Sequence, residues 1–149
     1  GFEFDKNISF NGIFNAPYSL TQGVDRETAD LVVTTFNPAN LVNAPSGATH
    51  FRLINALTVV SDFEYNVTTN SYEPMDPVLN EVNDIQYSGF LDLYGIVPDT
   101  TITATLPGGA IPSVNTSVLQ CIGIEFYQQV GANFYLFASG NCLKIEEAF

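Results

Sequence analysis

The stretch Leu119–Gln129, LQCIGIEFYQQ, carries the clearest structural signal in this sequence. Its apolar residues Ile122, Ile124 and Phe126 fall at every second position. A period of two is what a pleated strand with one buried face requires. The stretch is therefore predicted to be a long β-strand at the centre of the fold.

The residues that follow predict that the chain reverses here. Residues 130–133 read VGAN, and Phe134–Ala138 read FYLFA, a second run rich in aromatic side chains. Gly131 and Asn133 both tolerate positive φ, as the tight turn of a β-hairpin requires. A hairpin is therefore predicted, with Leu119–Gln129 and Phe134–Ala138 as its arms.

Composition outside this hairpin also favours strands. Of the 149 residues, 46% are hydrophobic, 12 are Phe and 7 are Tyr, and Trp is absent. β-Branched and aromatic residues dominate the apolar runs, and such residues pack well on a pleated surface. A chain of this length is long enough for one domain with a substantial core.

About eight strands are expected, at the spacing of a two-sheet sandwich. The strand candidates are residues 2–4, 31–36, 49–60, 87–94, 100–106, 118–129, 134–138 and 142–146. We therefore predict an all-β fold, an antiparallel two-sheet β-sandwich of Ig-like, Greek-key or jelly-roll type. Residues 1–149 are predicted to form a single β-sandwich domain, the C-terminal part of a longer protein.

Within Thr49–Val60, Phe51, Leu53 and Asn55 are predicted to share one face and Arg52, Ile54 and Ala56 the other, and the alternation then gives way to Leu57, Val59 and Val60. Such a change predicts a bulge or burial on both faces of the strand.

Turn and loop signals separate the strands. Asn37 before Pro38 is a helix-start signature, so one short helical turn is expected near residues 38–42. Thr69 and Asn70 predict a hairpin tip, and Gly89 predicts a bulge. Residues 7–18 are expected to be an irregular apolar segment, and residues 21–30 and 73–84 to be exposed loops.

The chain is strongly acidic, with 16 Asp and Glu against four Lys and Arg and a formal net charge of −12. Nucleic-acid binding needs clustered Lys or Arg, and none cluster here. An anionic membrane surface would repel the chain, and no run reaches the roughly 18 apolar residues of a membrane helix. We therefore expect no nucleic-acid partner and no membrane insertion.

Cys121 and Cys142 leave two alternatives open. In an oxidising compartment they would pair as a disulfide, and in a reducing one they would be small core residues with free thiols.

Three blocks of the sequence resemble a known family. They are residues 2–18, residues 37–51 (NPANLVNAPSGATHF) and residues 122–128 (IGIEFYQ). Together they are similar to the C-terminal domain of an uncharacterised protein family of the Bacteroidetes. The resemblance implies a bacterial source and a longer N-terminal part. It implies no established activity and no catalytic residues.

Catalytic patterns are weak throughout the sequence. His50 is the single histidine, and a triad needs it near a nucleophile and an orienting acid that no motif supplies. We expect His50 to begin a strand and to hydrogen-bond a loop carbonyl. The chain is therefore not expected to be an enzyme, and no cofactor is expected.

We expect a non-catalytic structural or protein-interaction module of a bacterial surface or secreted protein, with a protein partner or self-association. An extracellular or cell-surface location is expected, and a cytoplasmic one stays open. The alternative is a carbohydrate-binding module, because tyrosines on one sandwich face stack on sugars. Its candidate binding residues are Tyr65, Tyr72, Tyr127 and Tyr135. If it is calcium-dependent, the candidate ligands are the loop carboxylates of Asp76, Glu81 and Asp84.

Overall fold

Antiparallel strands make up most of the computed structural model, which describes residues 1–149. Twelve strands, two four-residue α-helices and one short 3-10 turn follow one another along the chain. The strands are β1 (Phe2–Glu3), β2 (Tyr18–Gln22), β3 (Thr28–Val33), β4 (His50–Ser61), β5 (Phe63–Asn66), β6 (Ser71–Pro74), β7 (Asn83–Tyr87), β8 (Leu91–Asp92), β9 (Thr100–Thr105), β10 (Thr116–Val130), β11 (Asn133–Leu136) and β12 (Cys142–Ala148). The helices are α1 (Phe10–Ile13) and α2 (Pro38–Leu41), and the 3-10 turn is Pro107–Gly109.

These strands form two main sheets and one separate hairpin. The large sheet has seven strands in the order β1-β12-β10-β4-β7, with β11 beside β10 and β8 beside β4. The small sheet has the order β2-β3-β9, and β5 pairs only with β6. Every pairing is antiparallel, which confirms the predicted all-β class. There are twelve strands rather than eight because several are too short or too polar to stand out in the sequence.

The predicted central hairpin is confirmed. Ile122, Ile124 and Phe126 of β10 are each 0% exposed. β10 pairs with β11 from Tyr127 opposite Leu136 to Val130 opposite Asn133. The chain reverses between these strands through two residues, the first of which is Gly131 at φ 62°.

β4 pairs with β10 over its whole length without a change of register, so the predicted bulge is wrong. The alternative, burial on both faces, holds only at Ile54, which is 8% exposed on the outer side. The register shift lies instead on the other side of β10, between Gln120 and Cys121 where it meets β12. In β4 the inward alternation continues through the apparent break, because Val60 is simply an exposed apolar residue. The inward residues are Phe51, Leu53, Asn55, Leu57 and Val59, each 0–1% exposed.

Two predicted loops contain strands, and one predicted strand lies elsewhere. Residues 21–30 include the end of β2 and the start of β3, and residues 73–84 include the end of β6 and the start of β7. The strand expected at 87–94 is replaced by β7 and the two-residue β8, with Gly89 between them outside any strand. β7 is mostly polar and is held by backbone pairing to β4, which an apolar pattern does not reveal.

The helical turn at Pro38 is confirmed. Asn37 caps it by accepting a hydrogen bond from the Ala39 N–H at 3.1 Å. The predicted irregular segment at residues 7–18 contains the unpredicted α1, which Ser9 caps in the same way and which buries Phe10.

The core lies between the two sheets and is divided by a buried polar pair. The larger cluster includes Leu53 and Ile122, and the smaller one includes Leu57 and Val118. Asn55 of β4 and Gln120 of β10 fall between these positions, and both are 0% exposed.

This polar pair joins the sheets directly. Asn55 Nδ2 donates to the carbonyl oxygens of Ala29 (2.8 Å) in β3 and Ile102 (2.7 Å) in β9. Gln120 Nε2 donates to Asn55 Oδ1 at 2.9 Å. The large sheet is therefore hydrogen-bonded to the small sheet through its interior.

Both cysteines are buried and free. Cys121 lies opposite Ile145 and Cys142 lies opposite Ile124, so three residues of strand separate the two thiols, about 10 Å. Cys142 belongs to the core, whereas Cys121 alternates with the inward residues Gln120 and Ile122 and therefore faces outward. Opposite faces exclude a disulfide in this fold. Burial raises the pKa of the Cys142 thiol to about 11.

Candidate interaction surface

The outer face of the large sheet carries an ion pair between its two central strands. Arg52 of β4 lies directly opposite Glu125 of β10. Its Nη2 is 3.3 Å from Glu125 Oε2 and donates to the hydroxyl oxygen of Tyr127 at 3.0 Å. The Tyr127 hydroxyl donates in turn to Glu125 Oε2 at 2.7 Å. The three side chains form a closed hydrogen-bonded triangle on the sheet.

Aromatic rings surround this triangle. The Arg52 guanidinium carbon lies 4.2 Å from the ring centroid of Tyr87, 5.1 Å from that of Phe90 and 5.2 Å from that of Tyr127. These distances are within the range of cation–π attraction. Arg52 is therefore held by three rings as well as by its ion pair.

The ring system continues to the central hairpin. Phe90 stacks on Phe134 of β11 with centroids 3.8 Å apart and planes 3° apart. The His50 and Phe134 rings form a T-shaped pair with centroids 5.0 Å apart. We call this group the Arg52 cluster; its members are His50, Arg52, Tyr87, Phe90, Glu125, Tyr127 and Phe134.

The polar centre of the Arg52 cluster is largely removed from water. The Arg52 and Glu125 side chains retain 25% and 22% exposure, and Arg52 Nε is buried without a hydrogen-bond partner. Burial, followed by the hydrogen bond to Glu125, raises the pKa of the Tyr127 phenol, so it stays protonated at neutral pH. Because the Arg52 guanidinium is already paired with Glu125 and hydrogen-bonded to Tyr127, it orients the surrounding rings and is not free to bind another anion.

The rim of the Arg52 cluster is apolar and accessible. Tyr87 is 43% exposed and Phe90 is 41% exposed, and the neighbouring side chains of Ile85 and Leu136 are about half exposed. Aromatic rings packed around a mostly buried arginine give an amphipathic contact surface.

The four tyrosines predicted to bind carbohydrate do not share one face. Tyr127 is buried in the Arg52 cluster. Tyr135 of β11 is exposed and lies opposite Gln128, the residue that follows Tyr127 in β10. Tyr65 and Tyr72 lie opposite each other on the β5–β6 hairpin, with ring centroids 5.5 Å apart. Sequence position alone does not reveal which tyrosines are neighbours.

The structure does not gather the predicted calcium ligands. Asp76 Oδ1 accepts the Leu79 N–H at 3.1 Å, and Asp84 Oδ2 accepts the Thr105 N–H at 2.9 Å. Glu81 occupies a positive φ of 68° and joins neither carboxylate. No group of three or more His, Cys, Asp or Glu side chains in residues 1–149 is arranged to hold a metal ion.

His50 begins β4, and its Nδ1 lies 2.9 Å from the hydroxyl oxygen of Thr49. The expected loop carbonyl is therefore replaced by a neighbouring side chain. That hydroxyl also accepts the Gln129 N–H at 2.8 Å, which links β4 to the end of β10.

A shallow depression of about 450 Å³ lies away from the Arg52 cluster, between α2 and the loop that precedes β4. Its polar side chains are Ser46 and Tyr94, and the Tyr94 hydroxyl donates to the Ala48 carbonyl oxygen at 3.3 Å. This depression carries no concentration of reactive groups.

Sequence reasoning did not identify Arg52, Tyr87 or Phe90 as functional residues. One usable signal was present, because Arg52 and Glu125 both occupy outward positions of predicted strands. Opposite charges at outward positions of adjacent strands form cross-strand pairs. Using that signal requires knowing that these strands are neighbours.

Comparison of the chain with protein-family models, curated proteins and solved structures finds no match. No helix in the structure combines the length and the hydrophobicity needed to cross a bilayer.

Proposed function

We propose that this chain is a non-catalytic protein-interaction module of a bacterial surface or secreted protein, and that the Arg52 cluster is its contact surface. The observation that carries the proposal is the mostly buried Arg52, with 25% of its side chain exposed, packed against the half-exposed rings of Tyr87 and Phe90. Arginine and aromatic residues are the types that concentrate in the centres of protein interfaces.

The shape of the surface supports a protein partner over a small molecule. Small-molecule sites are concave and enclose most of their ligand. The Arg52 cluster lies on the face of a sheet, with its rings arranged around the central ion pair. A sheet face of this kind buries a substantial area only when it contacts another extended surface, such as that of a protein.

Site-specific photo-crosslinking in the bacterium that makes the chain tests this proposal. Phe90 would be replaced by a photoreactive phenylalanine derivative, with Val114, a 95% exposed apolar residue outside the cluster, as the matched control. The proposal expects a discrete cross-linked protein product from position 90 that is absent from position 114. It also expects Arg52→Ala to abolish that product. Identical products from both positions would refute the proposal.

A carbohydrate-binding role is the second candidate, and the β5–β6 hairpin favours it. Tyr65 and Tyr72 are 49% and 71% exposed beside polar side chains. The Glu73 carboxylate accepts hydrogen bonds from Thr69 and Asn66, which lower its pKa and keep it ionised. Glu73 alternates with Tyr72 along β6 and therefore lies on the opposite face of the hairpin, so the surface offered to a sugar is the pair of exposed rings, which suits stacking on its apolar face.

A glycan array separates the two functions. The carbohydrate role expects binding that is lost in Tyr72→Ala and retained in Phe90→Ala. Loss on adding EDTA would assign the binding to a calcium-dependent site, and an array without any bound glycan would eliminate this candidate.

A further inference from the structure

β11 is an edge strand whose outward backbone groups are unpaired. The backbone groups of Tyr127 and Gln129 in β10 point toward Thr49, on the β4 side. The Thr49 N–H donates to the Tyr127 carbonyl oxygen (2.9 Å), and the Thr49 hydroxyl accepts the Gln129 N–H (2.8 Å). Leu136 lies opposite Tyr127, and Phe134 lies opposite Gln129. In an antiparallel ladder, a residue opposite one whose backbone groups point away from the pair also points its own N–H and C=O away from the pair.

The intervening positions confirm this geometry. The Phe137 N–H donates to the Phe126 carbonyl oxygen at 2.9 Å. The backbone N–H and C=O of Phe126 therefore point toward the β11 side, whereas those of Tyr127 point toward the β4 side. Phe134 and Leu136 therefore present two N–H and two C=O groups to the free edge.

The edge strands β7 and β2 each have a side-chain hydrogen bond to the facing sheet. Asp84 of β7 accepts the Thr105 N–H of β9, and Gln22 of β2 donates to Glu147 of β12 at 2.5 Å. Edge strands normally carry charges or proline that prevent pairing with another chain. β11 has neither, and its Tyr135 and Leu136 are 56% and 55% exposed.

Charge also sets β11 apart from the rest of the surface. Residues 126–145 contain no Asp or Glu, although the whole chain contains 16. Two copies that each carry a net charge of −12 repel each other, so they approach most easily where carboxylates are absent. β11 lies within this acid-free segment.

We propose that β11 pairs with β11 of a second copy of the chain, antiparallel and about a two-fold axis at Tyr135. Phe134 of each copy then lies opposite Leu136 of the other, and all four outward backbone groups of each strand gain partners. Such a contact is isologous, with the same residues contributed by both chains. The pairing joins the two large sheets edge to edge. This inference goes beyond the proposed interaction function, because β11 pairs through the edge of the large sheet whereas the Arg52 cluster is proposed to contact its partner through the face.

Cysteine cross-linking tests the register directly. At the two-fold axis the two residue-135 side chains lie directly opposite, with Cβ atoms about 4.5–5.5 Å apart, close enough for a disulfide after small adjustments. Tyr135→Cys is expected to form a disulfide-linked dimer under mild oxidation, whereas Tyr72→Cys, on an exposed strand elsewhere, is expected to stay monomeric. Equal cross-linking of the two variants would overturn the proposed register.

Sedimentation velocity tests the association without new thiols. The wild-type chain is expected to show a concentration-dependent monomer–dimer equilibrium. Leu136→Lys is expected to raise the dimer dissociation constant at least tenfold, because it places a charge at the paired edge. Val114→Lys makes the same charge change at an exposed site outside β11 and is expected to leave the constant within twofold. Circular dichroism spectra that match the wild type establish that both variants are folded.

A monomeric wild type at all concentrations, or a dimer that Leu136→Lys leaves intact, would overturn self-pairing. The proposed function fails separately, through the photo-crosslinking experiment at Phe90. A different protein captured at Phe90 together with a monomeric chain would remove the self-pairing and leave the interaction function standing.

Discussion

At the scale of single residues, Asn55 is the side chain on which the interior most depends. It donates to the Ala29 and Ile102 carbonyl oxygens and accepts from Gln120. Asn55→Ala removes all three partners at once. A buried polar group left without a partner costs about 1–3 kcal/mol, so we expect Asn55→Ala to lower the free energy of unfolding by about 3–5 kcal/mol in urea titrations.

Thr58→Ala, a change of similar kind at an outward position of β4, is the control and is expected to cost less than about 1 kcal/mol. The double variant Asn55→Leu/Gln120→Leu is expected to lose less than Asn55→Ala does, because it leaves fewer polar groups unpaired. A loss from Asn55→Ala no greater than that from Thr58→Ala would contradict this role.

The sequence predicts the direction of Asn55 but not its purpose. Its place in the alternation puts it on the same face as Phe51 and Leu53, and the structure shows that this face is buried. Its partners in β3 and β9 are 26 and 47 residues away along the chain, and no local pattern specifies them. Arg52 shows the same limit, since its ring partners Tyr87 and Tyr127 come from two other strands.

At the scale of elements, the β2–β3 turn fixes the start of β10 through Arg26. The Arg26 guanidinium donates to the carbonyl oxygens of Thr116 (2.9 Å), Ser113 (2.7 Å) and Pro112 (3.0 Å). It also reaches the Phe149 carbonyl oxygen at 3.4 Å. One side chain thus holds the segment before β10 and the end of β12 against the small sheet.

Arg26→Ala is expected to lower the free energy of unfolding by about 2–3 kcal/mol, since hydrogen bonds from a charged donor are worth about 1.5–3 kcal/mol each and this one is only half-buried. Arg26→Lys is expected to recover part of the loss, because a single ammonium cannot reproduce the guanidinium fork. Guanidinium chloride melts of these variants, with the exposed Lys6→Ala as control, provide the measurement. Equal stability of Arg26→Ala and Lys6→Ala would rule out the clamp.

Element prediction succeeds where the signal is local. The β10–β11 hairpin combines strict alternation with a glycine at positive φ, so its sequence specifies both arms and the turn. β7 has no such pattern, because Asn83, Asp84 and Gln86 are polar and the strand depends on its pairing with β4. The sequence pattern therefore placed the strand too late, at the more apolar residues 87–94, whereas β7 covers Asn83–Tyr87.

At the scale of the whole molecule, net charge opposes compactness. Of the four basic residues, Arg52 and Lys144 are already committed to ion pairs with Glu125 and Glu146. Burial by itself lowers the pKa of Lys144, but the hydrogen bond and charge of Glu146 more than reverse this and raise it, so Lys144 stays charged. Most of the 16 acidic side chains lack a basic partner and repel one another.

Salt is therefore expected to stabilise the fold at neutral pH. Raising sodium chloride from 0.02 to 0.5 M shortens the screening distance, and we expect a gain of about 1 kcal/mol, or about 3 °C in the thermal midpoint. The same titration near pH 4.1, the isoelectric point, is the control and is expected to show little change, because net repulsion is absent there. A thermal midpoint that falls with salt at pH 7 would contradict this view of the charge.

The position of the two thiols has a practical consequence. Because Cys121 and Cys142 lie on opposite faces of one sheet, the native state has no cross-link to gain in an oxidising medium or to lose in a reducing one. Folding yield should thus depend little on glutathione balance, and the chain is expected to reach the same native state in an oxidising and in a reducing medium without an oxidoreductase.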